Sequence, residues 1–198
     1  MDTLRAEKRS MDVKAKRLRR EGYVTGCIFG REIENSIPVK ILKTDLERLL
    51  KNNHKGSQIM LDVEGTSYDV LIKEMDYNSL ASRYDEIDFQ ALVSNEKVHS
   101  TAEVVLLNHD KVVGGVVELV LPEISYKALP AALTDKVEID VAELKVGDTV
   151  KVKDLAIAKN PDIDLKTDPE AVVVTVMVVH NDVPEEDAAE ADEKAAEK

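Results

Sequence analysis

The sequence of 198 residues has no Trp, two Phe and five Tyr, so aromatic side chains can fill little of a hydrophobic core. Because 43% of the residues are hydrophobic, the core must be aliphatic, built mainly from Val, Leu and Ile. The single cysteine, Cys27, excludes an internal disulfide framework and a cysteine-rich zinc site. Its apolar neighbours favour a small buried hydrophobe over a reactive thiol.

Long apolar runs are also missing. No segment approaches the roughly 18 consecutive apolar residues of a membrane-spanning helix. The N-terminus is polar and lacks the apolar core of a signal peptide. We therefore expect a cytoplasmic protein that does not contact membranes.

Motifs that would indicate an enzyme are absent from the sequence. It contains no phosphate-binding P-loop, no G-x-G-x-x-G after a predicted strand and no G-x-S-x-G. Its four histidines lie in separate segments without the i, i+4 spacing of a metal site, so surface or cap positions are the preferred interpretation. We predict a non-enzymatic protein with no catalytic residues, no bound metal and no cofactor.

Positive charge is concentrated at one end of a chain whose formal net charge is −12. Residues 1–20 carry eight Lys and Arg against three acids, whereas residues 181–198 carry eight acids against two Lys. The stretch 14–20, KAKRLRR, places five cations in seven positions. This asymmetry indicates either a polyanion-binding surface or a solvated helix face. In the first case, the acidic body would confine a polyanion to the basic end.

Short segments rich in β-branched residues predict a mainly β protein with a few helices, of the α+β class. One or two helical turns are expected at 14–21. A longer helix is expected to begin at Thr44, with Glu47 completing a capping box. In the first half, strands are expected at 23–30, 37–41, 58–65, 67–75 and 84–93.

The second half changes character and is nearly all strand. Strands are expected at 101–108, 116–121, 136–144, 148–155 and 171–179. Because the polar segment 93–99 separates the two halves, we predict a first domain at 1–93 and a second, β-rich domain at 98–180. Residues 181–198 are acidic and low in complexity, which is typical of a disordered tail.

The order of these segments resembles a known family. KAKRLRREGYVTGCIFG at 14–30 is similar to its basic stretch and following strand, VEGTSYDVLIKEMDYN at 63–78 to its hairpin, and EIDFQAL at 86–92 to its next strand. Residues 112–155, from VVGGVVELVLPEI to KVGDTVKVKDL, resemble the signature of the second domain. The family is the bacterial large-subunit ribosomal protein that binds 5S ribosomal RNA, in its long two-domain form of the general stress protein Ctc type. The likeness covers roughly residues 4–178.

The resemblance implies that the first domain is a small β-barrel with a helix that binds 5S ribosomal RNA. It also implies a structural role in the large ribosomal subunit and a monomeric free protein. Lys, Arg and polar strand residues suit the phosphates and 2′-hydroxyls of an RNA minor groove. For Asp88, a carboxylate at a turn or strand edge is an equal alternative. The RNA-binding residues implied by the resemblance are Arg9, Lys16, Arg17, Arg19, Arg20, Phe29, Lys73 and Asp88.

Four positions depart from the family pattern. Phe29 stands where the family has Tyr, and Thr25 where it has Pro. Asp76 replaces a Gln and Glu86 replaces a His, which adds two negative charges to the expected RNA-binding face. A carboxylate close to a phosphate costs about 1 kcal/mol in water. The alternative hypothesis is therefore a divergent, stress-linked relative with weakened RNA binding that acts as a protein-interaction module.

Overall fold

The structure is a computed structural model that describes residues 2–112 and 115–178. Its first half contains six strands and two short α-helices. The strands are β1 (Thr3–Lys8), β2 (Tyr23–Gly30), β3 (Ile33–Leu42), β4 (Gln58–Val63), β5 (Thr66–Asn78) and β6 (Arg83–Ala91). The helices are α1 (Ala15–Arg20) and α2 (Lys43–Leu49).

The six strands close into a barrel in the order β1-β3-β2-β6-β5-β4, with β4 pairing back to β1. Two of the pairings, β1 with β4 and β2 with β6, are parallel, and the other four are antiparallel. The hairpin predicted at Glu64 and Gly65 is confirmed, and both residues have positive φ, as a tight two-residue turn requires. The small β-barrel expected from the resemblance is thus present.

The barrel interior is mainly aliphatic, as the composition predicted, although it also encloses Phe89. Alternate residues of β4 and β6 point inward and are fully enclosed, among them Ile59, Leu61, Ile87 and Phe89. This period of two buries one face of each strand and leaves the other on the outside of the barrel. Outward side chains such as Phe29, Asp76 and Glu86 are exposed and available to a partner, whereas outward Thr25 and Leu71 are buried.

Helix α2 joins the barrel core through Leu46 and Leu49, as its apolar spacing predicted. The predicted capping box at Thr44 and Glu47 is wrong. Strand β3 runs directly into the helix, and the N–H of Lys43 donates to the carbonyl of Gly22. Thr44 therefore lies inside the first turn and cannot be the N-cap.

The second half forms two small sheets over a separate core. One has the order β10-β7-β9-β12, and the other has the order β11-β13-β8. The strands are β7 (Val98–Leu107), β8 (Val116–Leu119), β9 (Glu123–Ala128), β10 (Lys136–Asp140), β11 (Thr149–Lys151), β12 (Ile163–Leu165) and β13 (Val172–Met177).

The sequence analysis missed two of these strands, β9 and β12. Strand β9 begins after Pro122 and mixes polar with apolar residues, although Ile124 and Tyr126 alternate into the core. Strand β12 has only three residues and lies in a loop rich in Pro and Asp. The strand expected at 171–179 is present as β13 (Val172–Met177), and it is the central strand of its sheet, since it lies between β11 and β8.

Within the described ranges, none of the helices is long and apolar enough to cross a membrane. The predicted acidic tail at 181–198 lies outside the described residues.

Barrel closure depends on a close approach of β2 and β6 at Gly26. A Cβ atom at this position would meet the backbone carbonyl of Ile87 on the paired strand. We expect Gly26→Ala to lower the free energy of unfolding by about 2 to 3 kcal/mol, measured by urea denaturation, because backbone atoms cannot move aside cheaply. The control, Gly65→Ala, has positive φ but no atom within 4 Å and should cost about 1 kcal/mol. Equal losses in the two variants would contradict the close approach.

Candidate nucleic-acid interface

Helix α1 holds most of the predicted RNA-binding cations. It lies between β1 and β2 in the chain and is anchored by Leu18, its one buried side chain. Its last turn carries Arg17, Arg19 and Arg20, where the partial negative charge of a helix C-terminus favours cations. One buried leucine in six residues leaves most of the helix surface facing outward.

Three of the predicted residues on this helix are exposed. Lys16 and Arg20 are one turn apart and therefore share a face. The side chain of Arg17 is 75% exposed, although its Nε also donates to Glu21 at 2.9 Å. Among the described residues, no carboxylate lies within 4 Å of the charged groups of Lys14, Lys16 or Arg20. These four cations form an open positive surface, which we call the α1 surface: Lys14, Lys16, Arg17 and Arg20.

Arg19 instead fastens the helix to the barrel. Its Nε donates to the backbone carbonyl of Asp85 at 3.0 Å and lies 3.7 Å from the Asp85 carboxylate. Asn78 and Arg83 donate to the same carboxylate, at 3.1 and 2.8 Å. These two hydrogen bonds hold the pKa of Asp85 below its usual value, and the charges of Arg19 and Arg83 add to the effect. Asp85 therefore organises the junction of α1 with β5 and β6.

Arg9 lies in the loop between β1 and α1 and is half-buried. One terminal nitrogen of its guanidinium donates to the carbonyl of Val13 at 3.3 Å. Its Nε is buried and has no hydrogen-bond partner among the described residues. These contacts place Arg9 inside the loop that leads into α1 rather than on the α1 surface.

The outward faces of β2 and β6 bring together Asp88, Cys27 and Phe29. The backbone N–H and the thiol of Cys27 both donate to Oδ1 of Asp88, at 3.2 and 3.3 Å. Burial, followed by the hydrogen bond and the charge of Asp88, raises the pKa of Cys27 to about 11. Cys27 is only half-buried, because its side chain points outward, so the interpretation as an enclosed hydrophobe is wrong. The ring of Phe29, next along the same face, is 36% exposed.

Four carboxylates lie beside this face on β5 and β6. The strand register places Glu74 directly opposite Asp88, and Asp76 directly opposite Glu86. Asp76 and Glu86 are exposed, as the sequence analysis predicted. Like charges directly opposite one another on paired strands are unfavourable. This repulsion between the carboxylates must be offset, either by a partner that neutralises them or by solvent that separates them. We call this the acidic face: Glu74, Asp76, Glu86 and Asp88.

Lys73 points away from the α1 surface. A β-bulge between Ile72 and Glu74 sets it out of the regular alternation of β5. Its Nζ donates to the backbone carbonyl of His99, in the second half of the chain, at 2.7 Å. The structure therefore does not bring Lys73 together with the other predicted residues.

Two exposed residues near the site were not among the predicted RNA-binding residues. Lys14 precedes α1 and adds to its positive surface. The ring of Tyr77 is 51% exposed and packs edge-on against Tyr84, with 5.0 Å between ring centroids. Strand alternation would place Tyr77 on the same face as Met75, which packs against the core, but a β-bulge between Asp76 and Tyr77 turns it outward. No pattern in the sequence indicates that bulge.

The described part of the chain contains no group of three or more His, Cys, Asp or Glu side chains arranged to hold a metal ion.

Two family models match the chain in succession. The Ribosomal L25p family matches residues 4–89, and the C-terminal domain of ribosomal protein TL5 matches residues 97–180. The first match contains the α1 surface, the acidic face and all of the barrel strands except the first residue of β1 and the last two of β6.

Three relatives are each called large ribosomal subunit protein bL25. That of Caldanaerobacter subterraneus subsp. tengcongensis is 30% identical over 89% of this chain and 89% of its own length. The Carboxydothermus hydrogenoformans protein is 32% identical over 86% of this chain and 85% of its own length. That of Bacillus velezensis is 30% identical over 95% of this chain and 94% of its own length.

The Asp85 junction generates a stability prediction. Asp85→Asn removes the charge that Arg19 and Arg83 face, so we expect the free energy of unfolding at pH 7 to fall by about 2 kcal/mol in urea denaturation. The control, Glu86→Gln, removes an exposed carboxylate of the same strand and should change stability by less than about 0.5 kcal/mol.

The same junction has a defined pH dependence. Because the pKa of Asp85 is lower in the folded protein, its contribution is complete above about pH 4 and is lost as the pH falls through the lowered pKa. The difference in stability between the native protein and Asp85→Asn should shrink in that window. A difference that stays constant with pH would contradict the ionised role of Asp85.

Proposed function

Because this chain belongs to the Ribosomal L25p family, in its form with a TL5-type C-terminal domain, we propose that it is a structural, non-enzymatic protein of the large ribosomal subunit. We further propose that it binds 5S ribosomal RNA through the α1 surface and the adjoining outward face of β2, with Asp88 of β6 at the edge of this contact. The observation that carries the RNA contact is the α1 surface itself, an open group of cations on a protein of net charge −12. Its place of action is the cytoplasm, as a ribosomal component, and its free form is a monomer.

The electrostatics of the chain support an RNA partner at this surface. Lys16 and Arg20 project from the same face of α1, and no carboxylate of the described residues lies within 4 Å of their charged groups, so their charges are available to phosphates. Phosphate contacts of this kind supply affinity without reading sequence. The acidic remainder of the protein repels RNA elsewhere and so favours one mode of approach.

The neighbouring residues give the surface further RNA chemistry. Phe29 presents part of an aromatic ring, on which a base or a ribose can pack. Asp88 can accept a hydrogen bond from an RNA hydroxyl or amino group, and its Oδ1 is already oriented by Cys27. Arg9 and Arg19 act in this proposal by holding the loop and the helix in place, and only the exposed parts of their side chains can reach RNA.

The two domains have separate roles in this proposal. Residues 1–93 form the 5S ribosomal RNA-binding domain, and residues 98–180 form a β-rich domain that stands on its own core. The boundaries stay a prediction.

The acidic face favours a second candidate function. Its four carboxylates adjoin the proposed RNA contact on β2, since Glu86 pairs with Thr25 and Asp88 with Cys27. Repulsion between these groups and phosphates would weaken the complex, which is the property expected of a stress-linked relative that acts as a protein-interaction module. The two candidate functions differ in whether the attraction of the α1 surface for RNA exceeds the repulsion of RNA by the acidic face.

The α1 surface can be tested by removing two of its cations. We expect Lys16→Gln with Arg20→Gln to weaken binding to 5S ribosomal RNA on the order of tenfold at low salt. The slope of log K against log salt should flatten by about 1.5 to 2, as for two lost phosphate contacts. Fluorescence anisotropy across a salt series measures both quantities.

The matched control is Lys43→Gln with Arg48→Gln on α2, which removes the same charge from ion pairs within that helix. It should leave the salt slope unchanged. Equal slopes for all three proteins would exclude the α1 surface as the RNA contact.

The acidic face can be tested in the opposite direction. Asp76→Asn with Glu86→Gln removes one directly opposed pair, and we expect RNA binding to tighten by about fivefold per carboxylate, from a repulsion of about 1 kcal/mol each. Asp110→Asn with Glu138→Gln, two exposed acids of the second domain, is the control for net charge. If both pairs of substitutions tighten binding equally, the acidic face is not at the interface.

A further inference from the structure

A second group of cations lies in a cleft where the barrel meets the second domain. Its walls come from the segment after α2, the bulge of β5, strands β7 and β9, and the segment after β12. The residues that give it charge and hydrogen-bonding capacity are Lys55, Lys73, His99, Thr101, Ser125 and Lys166. None of the interactions assigned to the α1 surface uses this cleft.

The cleft is held in shape by close contacts between the two domains. A Cβ atom at Gly56 would meet the carbonyl of Thr101, so the two backbones touch. The hydroxyl of Ser57 donates to the Asp135 carboxylate at 3.1 Å, and His54 lies 3.3 Å from Glu103. The cleft is therefore a built feature of the junction rather than a gap between loosely joined parts.

Positive charge in the cleft is poorly neutralised. Lys73 is half-buried and donates to a backbone carbonyl. Lys127 lies just outside the cleft lining, on the same face of β9 as Ser125 and directly opposite His99 of β7. Within the described ranges, no carboxylate oxygen lies within 4 Å of Nζ of Lys73, Lys127 or Lys166. Burial lowers the pKa of Lys73, and the nearby charge of Lys55 lowers it further.

His99 is an exposed residue close to three of these lysines. Partial desolvation, followed by the charges of Lys127, Lys73 and Lys166, lowers its pKa below the usual value. One imidazole therefore experiences all three ammonium groups.

The neighbouring acids are few and partly engaged. Glu123 is paired with Lys55 at 3.2 Å, and Glu103 faces His54. Glu74 lines the cleft, and Asp164 is opposite Lys127 on β12. Lys73 and Lys166 have no ion-pair partner among the described residues. An anion in the cleft would therefore neutralise them without displacing an existing ion pair of either residue.

We propose that this cleft binds the phosphodiester backbone of an RNA segment other than the one at the α1 surface, so that the protein connects two RNA segments. This inference rests on the proposed function. Lysines spread over several elements suit a run of phosphates, each neutralised as a point charge, better than one small anion held by a fork of donors. The acidic face, which includes Glu74 beside Lys73, lies between the two cationic surfaces and prevents one continuous RNA backbone from following both.

The test maps a short RNA duplex onto the ¹⁵N-labelled full chain by amide chemical shifts at low salt. We expect shifts at Gly56, Thr101 and Ser125 in the native protein, and the same shifts when the α1 surface carries Lys16→Gln with Arg20→Gln. Lys127→Gln with Lys166→Gln should weaken the RNA titration at the cleft by about tenfold or more while the α1 signals still respond. The unperturbed spectrum of each variant reports whether it is folded.

The matched control is Lys151→Gln with Lys153→Gln, two lysines of the same domain that both pair with Glu170. It should leave the cleft titration unchanged. Shifts at α1 without shifts in the cleft would overturn this inference and leave the proposed function standing. Shifts in the cleft alone would support the inference and overturn the α1 surface, and no shifts at either place would overturn both.

Discussion

The carboxylate of Asp85 is the interaction on which the proposed RNA-binding surface depends. It receives hydrogen bonds from Asn78 and Arg83, and its backbone carbonyl accepts one from Arg19. A helix of six residues has too few internal hydrogen bonds to be stable by itself in water, so tertiary anchors must hold it. Leu18 supplies the apolar anchor and Arg19 the polar one. Because these two point inward, the remaining cations of α1 point outward.

The charges of the molecule are arranged in an order that has physical consequences. Two cationic regions, the α1 surface and the cleft at the domain junction, are separated by the acidic face of β5 and β6. Salt at physiological ionic strength limits the attraction of each region for phosphates to a range of about 8 Å. The acidic face between the two regions repels phosphates. In the proposed function, this arrangement steers RNA to separate places rather than over the whole protein. The acidic composition then confines RNA to the cationic regions.

Short segments rich in β-branched residues predicted strands β2 to β6, whereas their closure into a barrel was expected only from the family resemblance. Local sequence patterns did not predict the features that tertiary contacts determine. Helix α2 begins at Lys43 because β3 leads directly into it, and no local pattern at Thr44 could reveal that. Strand β12 exists only through its pairing with β9. The sequence indicated which residue types suit an RNA-binding site, but not where each side chain points. Arg19 and Lys73 are cations suited to phosphates, yet Arg19 points toward Asp85 and Lys73 toward His99.

The central claim is that RNA meets the barrel at α1 and the outward face of β2. The most direct measurement is ultraviolet cross-linking of the protein to bound 5S ribosomal RNA, followed by mass spectrometry of the cross-linked peptides. The account predicts cross-links in peptides that contain Lys16, Arg20 or Phe29. A stable complex whose cross-links all lie on α2, β1 and β3 would contradict it.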